Sequence, residues 1–188
     1  MISRFRFPVR VEIVYTANKI IGQCSAMFRI FLVFALLLGL SACGSKFETY
    51  NGPEVTRVIV NKGERRMYLL HHNAILKTYD VGLGFAPRGH KQFEGDGRTP
   101  EGEYRIDRRN PNSSFYLSLG IDYPRPRDVA YARSQGKSPG GDIFIHGRPW
   151  ANRKGGRDWT LGCIAVTNRE MREIYAMVRT GTPITINP

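Results

Sequence analysis

The sequence predicts a mainly β domain carrying one or two helices, an α+β arrangement in which strands dominate. Two observations point there. Short runs of alternating, β-branched residues recur between tight turn signals, and only one segment carries a helical period with both ends marked. The 188 residues are enough for one domain with a real core, since about 150 residues is the usual single-domain scale.

The elements can be read in order. Val55–Val60 alternates with β-branched residues, and Asn61-Lys62-Gly63 follows as a turn. Met67–Leu70 continues, His71-His72-Asn73 offers a second turn, and Ala74–Val81 supplies a third strand. Such short connections describe an antiparallel meander. Further strands are expected at Glu103–Asp107, Phe115–Leu119, Asp142–His146, Gly162–Val166 and Ile184–Ile186. The helix begins at Thr167, where Thr167 and Glu170 have the spacing of a capping box. Met171, Ile174, Tyr175 and Val178 then form one apolar stripe, and Gly181 and Pro183 end it. Two stretches, 84–102 and 125–141, read as long irregular loops of the kind that form functional walls and lids.

Residues ahead of the domain look like a targeting signal. Phe28–Leu40 is a nearly unbroken apolar run, shorter than the roughly 20 residues that span a bilayer and of the length of a secretory h-region. Leu40-Ser41-Ala42-Cys43 resembles the lipobox of bacterial lipoproteins, which implies acylation of Cys43 and cleavage before it. Residues 1–42 are therefore read as a lipoprotein signal region, with a more ordinary start at Met27, and residues 43–54 as a polar tether. Gly44 after the cysteine lacks the aspartate of inner-membrane retention, so the expected location is the periplasm-facing envelope, at the outer membrane.

The full chain has a net charge of +12. Removing residues 1–42 leaves 23 basic and 15 acidic side chains, a net charge of +8. A basic surface suits anionic lipid or the carboxylate-rich wall; the export signal argues against nucleic acid, and no basic run with interleaved aromatics supports it.

Of the three cysteines, only Cys163 lies beyond the targeting region. Exported proteins usually pair their cysteines, so a solitary thiol is a candidate nucleophile. It needs a base within reach. Among His71, His72, His90 and His146, only His146 ends an apolar strand and feeds a glycine. Cys163 follows after a Gly/Arg/Trp-rich excursion, which allows strand, loop and return to bring thiol and imidazole side by side.

Ile145-His146-Gly147 followed by Thr160-x-Gly162-Cys163-Ile164 resembles the active-site signature of the L,D-transpeptidase (YkuD-like) family. Thr99-Pro100-Glu101-Gly102, with Tyr104, and Ser138-Pro139-Gly140-Gly141 also match that family, in the correct order. The likeness covers roughly residues 55–187. It implies an L,D-transpeptidase-like β-sandwich with Cys163 as nucleophile and His146 as general base and acid. It also implies that the Gly147 carbonyl orients His146 and that the Gly162 and Cys163 N–H groups form an oxyanion hole. The implied reaction attacks a peptide bond of a peptidoglycan stem beside diaminopimelate, forms a thioester and passes the acyl group to an amine or to water.

Leu161 stands where many members have His, and Ala165 where many have Arg or Asn. Thr160–Asn168 more closely resembles the YafK-like subgroup, which includes an amidase that releases lipoprotein from the wall. Three readings follow: a transpeptidase that cross-links the wall or attaches lipoprotein to it, a peptidoglycan amidase or peptidase, and a non-catalytic wall-binding lipoprotein. Arg98, Arg148, Arg153 and Arg157 are candidates to grip substrate carboxylates, and Thr160 to touch substrate. Trp150 and Trp159 flank the cleft. His71-His72 reads as an exposed turn, and no zinc-ligand spacing or cofactor motif is present.

Overall fold

The computed structural model describes residues 45–149 and 156–188. The signal region, Cys43, Trp150 and Arg153 lie outside the described residues. Lys46–Pro188 forms one unit, built from strands β1 (Arg57–Asn61), β2 (Arg66–His71), β3 (Ala74–Asp80), β4 (Gly102–Asn110), β5 (Ser118–Ile121), β6 (Phe144–His146), β7 (Ile164–Ala165) and β8 (Pro183–Asn187). Helix α1 (Pro126–Ser134) precedes β6, and α2 (Asn168–Met177) precedes β8. Among the described residues, no helix is long and apolar enough to cross a membrane.

The strands form one sheet in the order β3-β2-β1-β8-β4-β5-β6-β7. β4 joins its two halves: Gly102–Arg105 pairs with β8, and Ile106–Asn110 with β5. The register shifts between Ile106 and Arg108. That one-residue bulge turns Arg109 toward the α2 side, while Arg108 and Asn110 share the opposite face. Beyond β3, Gly82 bridges Ala165 and Gly84 bridges Thr160. The chain leaving one edge thus meets the strand at the other, and the sheet curls into a half-barrel.

Alternation builds the core. Val58, Val60, Met67, Leu69, Tyr104, Ile106, Leu119, Ile145, Ile164 and Ile184 are all buried, and each such side chain contributes about 1.5–3 kcal/mol. Helix α2 covers the inner face with Met171, Ile174, Tyr175 and Met177. Its N-terminus carries the expected reciprocal cap between Thr167 and Glu170. At its other end Arg109 donates to the carbonyls of Tyr175 and Val178 and lies over the Tyr175 ring, which satisfies acceptors that the last turn leaves open.

Several elements differ from expectation, and three of the differences have a local cause. Helix α1 lies inside the stretch read as irregular; it buries only Asp128 and Ala132, so it shows no apolar stripe. Its start signals are Pro126 in the first turn and Asp128, which caps the Arg125 N–H. β5 begins at Ser118 instead of Phe115, because Tyr116 has φ 78°. β6 begins at Phe144, because Asp142 has φ 54°. Both are left-handed positions that a strand does not accept.

The 84–102 loop is pinned in two places. Lys62, 2% exposed, donates to the Gly89 carbonyl (2.6 Å), the Thr99 carbonyl (3.0 Å) and Glu101 Oε1 (2.8 Å). Asp96 accepts from the N–H groups of Gln92, Phe93 and Arg98 and from Lys91 Nζ. Burial alone would raise the Asp96 carboxyl, but these donors outweigh it and hold the pKa below its usual value.

Candidate active site

Cys163 sits at the entrance to β7, on a segment clamped from both sides. Ala165 and Gly82 exchange two backbone hydrogen bonds of 2.8 Å, and the Val166 N–H reaches the His146 carbonyl. Behind the thiol, three loop backbones press together. A Cβ on Gly84 would overlap the Gly97 carbonyl, and one on Gly162 would come within 2.6 Å of the Arg98 carbonyl. Gly162 also has φ 132°, so glycine is needed there both for the space and for the backbone.

The register sets the relation between thiol and imidazole. His146 pairs directly with Ala165 across the parallel β6–β7 ladder. Cys163, two residues earlier, therefore faces the same side as a diagonal neighbour of His146. Both residues line a cleft of about 700 Å³. The thiol donates to the Asp142 carbonyl and accepts from the Phe144 N–H, each at 3.4 Å. Among the described residues, no hydrogen bond joins it to the imidazole.

His146 is 3% exposed, with Nδ1 2.6 Å from the Gly147 carbonyl. A carbonyl can only accept, so Nδ1 carries the proton and Nε2 keeps its lone pair. The Phe115 ring lies 4.6 Å from the imidazole and the Trp159 ring 5.8 Å. The carbonyl is itself held in place: the Gly147 N–H donates to the Leu117 carbonyl, and Asn168 Oδ1 accepts from the Arg148 N–H at 2.6 Å. A Cβ on Gly147 would overlap that Asn168 oxygen and approach the Phe115 carbonyl at 2.9 Å.

Electrostatics favour the uncharged form of both groups. Burial pushes the Cys163 thiol up and the Asp142 charge adds to it; the Phe144 N–H and Lys91 oppose them. Burial pushes His146 down, helped by Arg148 and opposed by the Gly147 contact. The resting pair is thiol and neutral imidazole.

Of the other expected site residues, Thr160 also lines the cleft, and Gly162, Arg98, Arg148 and Arg157 do not. The Gly162 N–H donates to Thr160 Oγ1 at 3.2 Å, so this donor is used within the turn. Thr160 is 4% exposed and donates in turn to the Cys163 carbonyl at 2.7 Å, so its hydroxyl shapes the turn. Arg98 points its guanidinium toward Gly89 and presents only its carbonyl to Gly162. Arg148 stands behind the cleft wall with its guanidinium 5.5 Å from the Trp159 ring, and Arg157 lies 3.8 Å from Asp80. His71 ends β2, paired with Ala74, and His72 begins the turn to β3. Among the described residues, no cluster of His, Cys, Asp or Glu is arranged to hold a metal ion.

Four contributors were not singled out beforehand: Asp142, whose carbonyl takes the thiol hydrogen; Asn168, which fixes the Gly147 loop; Phe115, which packs on the imidazole; and Ser118, which pairs across the sheet with His146. Only the last two left a trace, in the alternation of 115–119.

A family model for the L,D-transpeptidase catalytic domain matches residues 55–186. “Putative L,D-transpeptidase YafK” of Escherichia coli strain K12 is 31% identical over 106 residues, which is 55% of this chain and 37% of that protein. Among solved structures, the helical cell shape determining protein Pgp2 from Campylobacter jejuni is 26% identical with TM-score 0.55, covering 81% of this chain and 54% of that one. Bd1075 from Bdellovibrio bacteriovorus, 20% identical with TM-score 0.51 over 74% of this chain and 50% of its own, shares the fold. The chain thus spans little more than a third of its curated relative and about half of Pgp2.

Proposed function

The chain belongs to the L,D-transpeptidase catalytic-domain family, and from that premise we propose that it remodels peptidoglycan through a thioester formed on Cys163. The observation that carries this reading is the shared cleft: thiol and imidazole line one cavity, and Nδ1 is bonded so that Nε2 is the free base.

As the Cys163 sulfur attacks the carbonyl carbon of a stem-peptide bond, the thiol turns away from the Asp142 carbonyl and its proton passes to His146 Nε2. The Cys163 N–H meets the developing oxyanion, a contact worth about 3–4 kcal/mol. The C–N bond then breaks, the imidazolium gives its proton to the leaving amine, and an acyl thioester remains. An incoming amine loses a proton to Nε2 as it attacks; the C–S bond breaks and the thiol is reprotonated. Residues 55–187 are the catalytic domain in this reading. In the same reading Cys43 is its lipid anchor and residues 43–54 its tether, with the domain facing the periplasm from the outer membrane and wall-attached lipoprotein among its partners.

A second reading hands the same thioester to water, making the protein an amidase or peptidase. It is favoured by Leu161, which is 73% exposed beside the thiol and offers no polar group to hold an acceptor. Incubation of purified protein with muropeptides and lipoprotein-bearing sacculi, read by mass spectrometry, tests both. Joined products support transpeptidation and released products hydrolysis. Cys163→Ala abolishes either and His146→Ala cuts the rate at least a hundredfold; turnover retained by Cys163→Ala defeats the thioester reading.

A further inference from the structure

The cleft holds a polar row that the thioester chemistry does not use. Asn110 pairs with Ser118 across β4–β5, and Ser118 pairs with His146 across β5–β6. Directly opposed residues share a face and stand about 5 Å apart, and all three line the cleft. Phe115, Ile143, Phe144 and Trp159 supply the apolar part of the remaining wall, and Ser113, Ser114, Thr160 and Asp142 its polar part.

Ser118 is 3% exposed, yet its hydroxyl takes no hydrogen bond among the described residues. Its oxygen still opens on the cleft, so a group that arrives from outside can complete its hydrogen bonding. Asn110 complements it. Its Oδ1 accepts from the Asn112 N–H at 2.9 Å, which leaves the side-chain NH₂ as the group free to meet a ligand. Two neutral donors side by side match a carbonyl oxygen. The Asn110 NH₂ cannot accept from an ammonium, and a carboxylate held there needs a cation, whereas no Lys or Arg lines the cleft among the described residues.

We propose that Ser118 and Asn110 form a two-donor subsite that holds a peptide carbonyl of the substrate beside His146, making Ser118 a specificity-determining residue. The identity of that substrate as a stem peptide rests on the function proposed above; the subsite itself is read by binding.

The test measures the affinity of a purified tetrapeptide muropeptide for the full chain carrying Cys163→Ala, by calorimetry. Adding Ser118→Ala or Asn110→Ala weakens binding about tenfold, equivalent to about 1.4 kcal/mol. Asn110→Asp weakens it at least as much. In the Cys163-intact protein, Ser118→Ala raises KM with a smaller change in kcat. Its melting temperature does not fall, because the hydroxyl it loses had no partner. Unchanged affinity in Ser118→Ala overturns the subsite; so does tighter binding by Asn110→Asp, which would mark an ammonium ligand, or a drop in melting temperature, which would mark a structural role. If wild type binds muropeptides through these residues but never turns them over, the subsite stands and the thioester reading fails. Turnover with Ser118→Ala affinity unchanged sinks the subsite alone.

Discussion

The thiol of Cys163 is aimed at the carbonyl of Asp142, 3.4 Å away, and Asp142 holds that carbonyl in place from a left-handed backbone position, φ 54°. The same residue acts on the thiol twice, since its carboxylate also disfavours the thiolate. That carboxylate is 87% exposed and paired with Arg108 at 2.8 Å. Asp142→Asn separates the two effects, because asparagine tolerates the left-handed region as aspartate does. The thiolate becomes easier to form, so the pH curve for alkylation of Cys163 by iodoacetamide moves to lower pH while its plateau rate is kept. A curve that stays in place removes Asp142 from the electrostatics of the site.

The neutral resting pair has its own signature. A thiolate–imidazolium pair would alkylate rapidly near pH 7. Here burial raises the thiol and lowers the imidazole, so alkylation is slow at pH 7 and climbs only above the ordinary thiol range. Turnover needs neutral His146. Because its pKa lies below the usual value near 6.5, kcat/KM stays flat as pH falls through 6.5 and drops only below it. A kcat/KM profile already halved at pH 7 contradicts this.

The Gly147 loop is expected to be intolerant of a single methyl group. A Cβ there overlaps Asn168 Oδ1, the atom that accepts from the Arg148 N–H. Gly147→Ala therefore displaces the carbonyl that orients His146, costing about 1–3 kcal/mol of stability and at least tenfold in kcat/KM. Gly147→Ala combined with Asn168→Ala opens room for the methyl group and recovers part of the stability, which thermal unfolding of the single and double variants measures. Equal losses in both show that the clash is not the cause.

Much of this was legible in the sequence, for identifiable reasons. The meander of β1–β3, the capped helix α2 and the pairing of a lone thiol with a strand-end histidine each rest on local pattern, and local pattern is what a sequence displays. Ser118, Asp142 and Asn168 matter through register, backbone hand and a contact across 20 positions, none of which has a local signature. Thr160, Gly162 and Arg98 were expected to face substrate because their motif surrounds the nucleophile. In the folded chain their polar atoms are used to shape the turn behind it, or point away. Helix α1 escaped notice because its buried anchor is the carboxylate of Asp128 and not an apolar stripe.

That distinction, between groups that meet substrate and groups that hold the loops carrying them, predicts where stability is lost. Lys62 is buried, and its ammonium satisfies two carbonyls and Glu101. Burial lowers its pKa and the Glu101 contacts oppose that shift, so the pair survives in the interior only while both partners are present. Lys62→Met leaves Glu101 and two loop carbonyls without their donor and costs about 3–5 kcal/mol, read as a lower midpoint in urea. Removing both charges in Lys62→Met with Glu101→Leu costs less than Lys62→Met alone, because no lone carboxylate then remains. The loop these residues pin carries Gly97 and Arg98, which back Gly84 and Gly162. Both variants therefore also slow turnover more than they change the pH curve for Cys163 alkylation. A double variant as unstable as Lys62→Met would show that the carbonyls, and not the ion pair, hold the loop.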